Sequence, residues 1–121
     1  MQRVLIIDDD PDVRTVMNIL MKKQGYEVET AFNREDALSK LDNFQPSVIL
    51  LDVLLSGTDG RELCREIKEN DEMKTVPVIM VSAHPGAAEN IKSYGAADFI
   101  VKPIDTARLL EKLDRLTNLP K

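Results

Sequence analysis

Four short apolar runs, each with a polar residue at or next to its end, constrain this chain more than anything else in it. They are "RVLIID" (3–8), "SVILLD" (47–52), "VPVIMVSA" (76–83) and "ADFIVK" (97–102). A strand with one wet face alternates apolar and polar residues. A near-continuous apolar run is the pattern of a parallel strand covered on both faces. A fifth stretch, "YEVETA" (26–31), alternates and also reads as a strand.

Helical periods lie between the runs. In "DVRTVMNILMKKQG", Val13, Val16, Met17, Leu20 and Met21 share one helix face, with Pro11 suited to the first turn and Gly25 to the stop. Asn33 is a good N-cap for "REDALSKLDNF", which Pro46 closes. "GRELCREIKEN" (60–70) turns Leu63, Cys64 and Ile67 inward. "GAAENIKSYG" (86–95) reads as a short helix with a weak apolar face, and "DTARLLEKLDRLTNL" (105–119) carries Leu109, Leu110, Leu113 and Leu116 on one stripe. These are five β-α units, and they predict an α/β fold: an open, doubly wound, five-stranded parallel sheet in one domain, 1–121.

Composition narrows the function classes. A chain of 121 residues is long enough to bury a core without staples. Its single cysteine, Cys64, has no internal disulfide partner, which suits a reducing compartment. No apolar run approaches the roughly 20 residues that span a bilayer, and the first apolar stretch is too short for a signal peptide. These features predict a cytoplasmic protein with no membrane partner. The net charge of -5 and the few aromatics argue against a nucleic-acid partner.

In sheets of this kind ligands bind beyond the carboxyl ends of the strands, at the switch point. The first strand ends in Asp8, Asp9 and Asp10, the third in Asp52, the fourth in Ser82 and the fifth in Lys102 followed by Pro103. A strand order of 2-1-3-4-5 brings all of these around Asp52. Clustered carboxylates repel and raise one another's pKa; a divalent cation reverses that. Mg²⁺ is hard, prefers oxygen ligands and often takes one or two carboxylates plus a phosphate. With the Lys102 ammonium and the Ser82 hydroxyl, the set suits phosphoryl transfer, and a carboxylate can itself be the acceptor.

At these residues the chain resembles the receiver domain of two-component response regulators over essentially its whole length. The acidic pair after the first strand matches Asp8 and Asp9, and the phosphoacceptor matches Asp52. The pattern D-x-x-[ML]-P-x-x-D-G matches "DVLLSGTDG", except that Ser56 replaces the proline. The switch hydroxyl before alanine matches Ser82-Ala83, and [YF]-x-x-K-P matches "FIVKP" with Phe99 as the switch aromatic.

The resemblance implies a flavodoxin-like (βα)5 fold and a phosphorylation-dependent signalling switch rather than an enzyme. It implies Mg²⁺ on Asp9, Asp52 and the Leu54 backbone carbonyl, with Asp8 holding a metal water. Asp52 would accept a phosphoryl group from a histidine kinase or phosphotransfer protein, Lys102 would pair with it, Ser82 would move to it and Phe99 would turn inward. The fourth and fifth helices and the fifth strand would then meet a downstream target or effector domain, or a second copy in a dimer. The Lys102-Pro103 bond is expected to be cis.

Each residue also has a plainer reading. Asp52 can cap a loop, Asp8 and Asp9 can cap the first helix, Lys102 and Ser82 can be solvated groups and Phe99 can be plain core. His84 reads as a solvated loop histidine, with tuning of phosphoryl lifetime or metal contact as its functional alternative. Leu54, apolar at the rim, is expected to shield the acyl phosphate from water. Ser56 is expected to leave the loop at 55–59 more mobile than a proline would. Three other functions compete with this one. A receiver acting by contact alone, without phosphorylation, is opposed by the intact acid set. A haloacid-dehalogenase-type phosphohydrolase matches D-x-D at Asp8 and Asp10 but meets Asp12 where a Thr or Val is expected. A flavodoxin-type FMN carrier is excluded because "DDDPD" would repel phosphate.

Overall fold

The computed structural model describes residues 2–55 and 57–117. Strands β1 (Arg3–Ile7), β2 (Glu27–Ala31), β3 (Val48–Asp52), β4 (Val78–Ser82) and β5 (Asp98–Val101) form one parallel sheet in the order β2-β1-β3-β4-β5. Helices α1 (Pro11–Lys23), α2 (Arg34–Phe44), α3 (Gly60–Glu69) and α4 (Thr106–Thr117) cover it. β3 and β4 are buried at every residue, as their apolar runs require. β2 pairs with β1 alone, and its three central residues are all half-buried rather than alternating. Its Glu27 and Glu29 place charge on that edge, which discourages pairing with another chain.

The strands send successive side chains to opposite faces. Leu5, Ile7, Ile49, Leu51 and Met80 join Ala37 and Leu41 of α2 and Leu63, Cys64 and Ile67 of α3. Val4, Ile6, Leu50, Ile79 and Val81 join Met17 and Met21 of α1 and Leu109 and Leu113 of α4. Leu110 and Leu116 are half-buried against that second cluster. Val16, expected on the inward face of α1, is instead 60 % exposed. At about 100° per residue it lies roughly 120° from the midline between Met17 and Met21, which carries the burial.

Side chains fix the helix starts. Asp10, Asn33 and Asp59 accept hydrogen bonds from the backbone N–H groups of Asp12, Asp36 and Arg61, each at 2.9 Å. Pro11 occupies the first turn of α1.

The helix expected at 86–95 does not form. Pro85–Ala88 and Ile91–Tyr94 are separate 3₁₀ turns. Between them Glu89 is extended and Asn90 is left-handed at φ 66°, so no α-helical ladder runs through. Ile91 is the only buried side chain of the two turns, which leaves little packing to enforce a helix. The fold therefore has four α-helices among the described residues, not five. A further feature had no sequence signal: Leu54–Leu55 pairs antiparallel with Thr58–Asp59 directly after β3. Ser56, the proline replacement, lies outside the described residues, as does the end of the last expected helix.

Candidate functional site

Only three buried polar or charged side chains occur among the described residues: Asp8, Asp52 and Ser82. Asp8 follows the end of β1, and Asp52 and Ser82 are the last residues of β3 and β4. The strand order makes these strands neighbours, so the three converge at one edge of the sheet. Burying such groups without partners costs several kcal/mol in apolar surroundings, so their grouping calls for a common purpose.

Oxygens of Asp8, Asp9 and Asp52 lie within 4.8 Å of one another. Lys102, just beyond β5, reaches across to this cluster: its Nζ is 3.0 Å from Asp8 Oδ2 and 3.5 Å from Asp52 Oδ2. Its own backbone N–H donates to the Ser82 carbonyl at 2.8 Å, which fixes where the side chain starts. Lys102 is thus held between two carboxylates. The Lys102-Pro103 peptide is cis.

Burial, then the charge of Asp8, pushes the Asp52 carboxyl up to about 6, against the opposing pull of Lys102 and of the Leu54 backbone N–H. Burial works against charge on Lys102, but the hydrogen bond and charge of Asp8, then those of Asp52, outweigh it and hold the ammonium above its ordinary value. Asp52 is thus a carboxylate short of neutralisation despite its lysine. Three carboxylates with no sulfur or imidazole among them fit a small hard dication such as Mg²⁺.

The loop after β3 holds Asp52 from behind. Val53 N–H donates to the Val81 carbonyl at 2.9 Å, and Gly60 N–H to the Val53 carbonyl at 2.7 Å. Leu54, at the rim, is exposed. The Ser82 hydroxyl accepts the His84 N–H at 3.1 Å, while the His84 side chain is exposed. Phe99 is half-buried against the α2–α3 core and lines a groove of about 410 Å³ between Pro85 and Ala88 on one side and Arg108 and Lys112 on the other. Phe99, His84 and Leu54 therefore flank the cluster, whereas Asp8, Asp9, Asp52 and Lys102 form it. Arg14 is missing from the sequence-based set: its Nη1 donates to the Asp8 carbonyl at 2.8 Å. A basic residue one helical turn after an acidic N-cap is the only signal the sequence holds for it.

Solved structures share this arrangement of elements. The chain is similar to the chemotaxis protein CheY4 of Vibrio cholerae, with 30 % identity and a TM-score of 0.89 over 96 % of this chain and 98 % of that one. It is similar to the receiver domain of NtrX from Brucella abortus, with 32 % identity and a TM-score of 0.88 over 97 % and 99 % of the two chains. Against a longer NtrX chain from the same organism it has 32 % identity and a TM-score of 0.87, and 96 % of it aligns with 27 % of that chain. Residues 4–114 match the model of the response regulator receiver domain, and the chain belongs to that family.

Proposed function

We propose that this chain is a phosphorylation-dependent signalling switch in which Asp52 accepts a phosphoryl group from the phosphohistidine of a histidine kinase or phosphotransfer protein. The observation that carries the reading is the buried Asp52 carboxylate, grouped with Asp8 and Asp9 and faced by Lys102. One Asp52 oxygen attacks phosphorus as the nitrogen–phosphorus bond breaks, and the imidazole departs with a proton. Asp9, Asp52 and the Leu54 carbonyl would hold Mg²⁺, with Asp8 on a metal water; the ion supplies neutralisation of charge on the transferring group. Lys102 moves from its carboxylate partners to the phosphoryl oxygens. The Ser82 hydroxyl, one strand away, follows, and Phe99 turns toward the space it leaves. Leu54 limits water access to the acyl phosphate and so prolongs it, and His84 remains a solvated loop residue.

The protein assists its own phosphorylation and dephosphorylation but turns over no separate substrate. The output surface is the groove around Phe99, and its partner is a downstream protein, an effector domain or a second copy. No described helix is long and apolar enough to cross a membrane, in keeping with a cytoplasmic setting.

Acetyl phosphate with Mg²⁺, followed by intact mass, tests the reading. We expect one added phosphoryl group, absent in Asp52→Asn and in the presence of a chelator. No added mass in the parent protein would leave a contact-only module; steady release of phosphate from a generic phosphomonoester would indicate a phosphohydrolase.

A further inference from the structure

Asp8 is held at all four of its polar groups. Its N–H donates to the Ala31 carbonyl at 3.1 Å, Oδ1 accepts the Asp10 N–H at 3.0 Å and Oδ2 accepts Lys102 Nζ at 3.0 Å. The fourth group is its backbone carbonyl, and the Arg14 guanidinium donates to it at 2.8 Å. Arg14 belongs to the first turns of α1, where its own N–H bonds the Asp10 carbonyl at 3.1 Å, so its side chain folds back toward the strand end. The guanidinium also stands over the exposed Phe32 ring, 5.9 Å from the centroid, which supports it from the β2 side.

The carbonyl that Arg14 binds and the N–H of Asp9 share one planar peptide unit. Fixing that carbonyl fixes the rotation of the plane and the direction of the Asp9 N–Cα bond, which leaves the Asp9 φ as the one backbone rotation between the plane and the Asp9 side chain. A positive group so near a cation site would by charge alone weaken cation binding. Its presence there is explained if the hydrogen bond orients a ligand and that gain exceeds the repulsion.

We propose that Arg14 is a positioning residue for the cation site: by fixing the Asp8–Asp9 peptide plane it aims the Asp9 carboxylate at the space shared with Asp8 and Asp52. The inference rests on the Mg²⁺ site proposed above. The sign of the effect separates positioning from plain electrostatics, because removing a positive charge would otherwise tighten Mg²⁺ binding.

Calorimetric titration with Mg²⁺ alone tests this on the parent protein, Arg14→Ala, Arg14→Lys and Phe32→Ala. Groups that orient metal ligands typically contribute about 10–100-fold in affinity. Arg14→Ala should therefore weaken Mg²⁺ by about tenfold or more. Arg14→Lys should recover part of this, because one donor remains, and Phe32→Ala should show a smaller loss with Arg14 still present. Thermal unfolding without metal runs in parallel. A merely structural role would lower the unfolding midpoint while leaving the Mg²⁺ affinity of the folded protein unchanged. Should Arg14→Ala fail to fold, the lysine and Phe32 variants carry the comparison. Unchanged or tighter Mg²⁺ binding in the variants that fold overturns the inference and leaves the phosphoacceptor reading standing. A parent protein whose Mg²⁺ affinity depends on Arg14 yet which takes no phosphoryl group overturns the reading and leaves the inference. A parent protein that binds no Mg²⁺ overturns both.

Discussion

A methyl group on Gly60 would sit 2.0 Å from the backbone carbonyl oxygen of Asp52 and 3.0 Å from Val53 Cα. Both neighbours are backbone, so neither can swing aside. The first residue of α3 thus packs directly behind the proposed phosphoacceptor, and Gly60→Ala must displace either the helix or Asp52. We expect a loss of about 1–3 kcal/mol in urea unfolding, the usual cost of overpacking, together with slower phosphorylation by acetyl phosphate. Asp52 itself has the opposite sign. Burial and the charge of Asp8 push its pKa up to about 6, above the ordinary 3.8, so its contribution to stability is full below 3.8 and is lost as pH rises through about 6. Asp52→Asn should therefore raise metal-free stability at pH 7 by roughly 1–3 kcal/mol, and the gain should vanish near pH 4. Equal gains at both pH values would show that charge is not the cause. The two residues differ in legibility for a physical reason. An acid inside an apolar run is a local anomaly and can be read from sequence. The clash that demands glycine at Gly60 is a contact across a folded loop, and sequence records only the glycine.

The same contrast recurs among the elements. β1, β3 and β4 are legible because burial on both faces leaves a run that no surface segment needs. The stretch at 85–95 misleads because its helix-favouring residues are undone by one left-handed residue, Asn90, and by Gly95 at φ 94°. What holds the stretch is α3. The Tyr94 ring lies 4.5 Å from the Arg65 guanidinium and 5.7 Å from that of Arg61, and a Cβ on Gly95 would meet Lys68 Cγ at 2.7 Å. Arg61 in turn pairs with Asp59, the N-cap of α3. Tyr94→Ala should therefore speed amide hydrogen exchange through 85–95 and cost about 1 kcal/mol, while leaving acetyl-phosphate labelling of Asp52 unchanged. Exchange unaltered in that stretch would mean that Ile91, not the tyrosine clamp, anchors it.

For the whole molecule, the doubly wound topology separates two surfaces that share one chemical edge. The groove around Phe99 lies on the β5 side. On the α1 side, Val13, Val16, Met17 and Ile104 line a second groove of about 280 Å³ that runs up to Lys102. Val16 exposes most of its surface there, as does Ile19 further along α1, and Leu54 is similarly exposed at the rim of the site. The outward position of Val16 is informative here. An apolar period can be longer than the core needs, and the excess faces water next to the cluster of acids. In the proposed function a macromolecular donor would bring its phosphohistidine to Asp52, and this groove is an apolar surface that ends at Lys102, the neighbour of Asp52. Acetyl phosphate needs no such surface. Val16→Asp places a charge in the groove without entering the core, so folding and Mg²⁺ binding should be unaffected. Transfer from a phosphohistidine protein should slow by about tenfold, a cost of the order expected for one central interface residue, while labelling by acetyl phosphate proceeds at the parent rate. Equal slowing with both donors would place the effect at Asp52 instead of at the docking surface. No slowing with either would move the donor's footprint off α1.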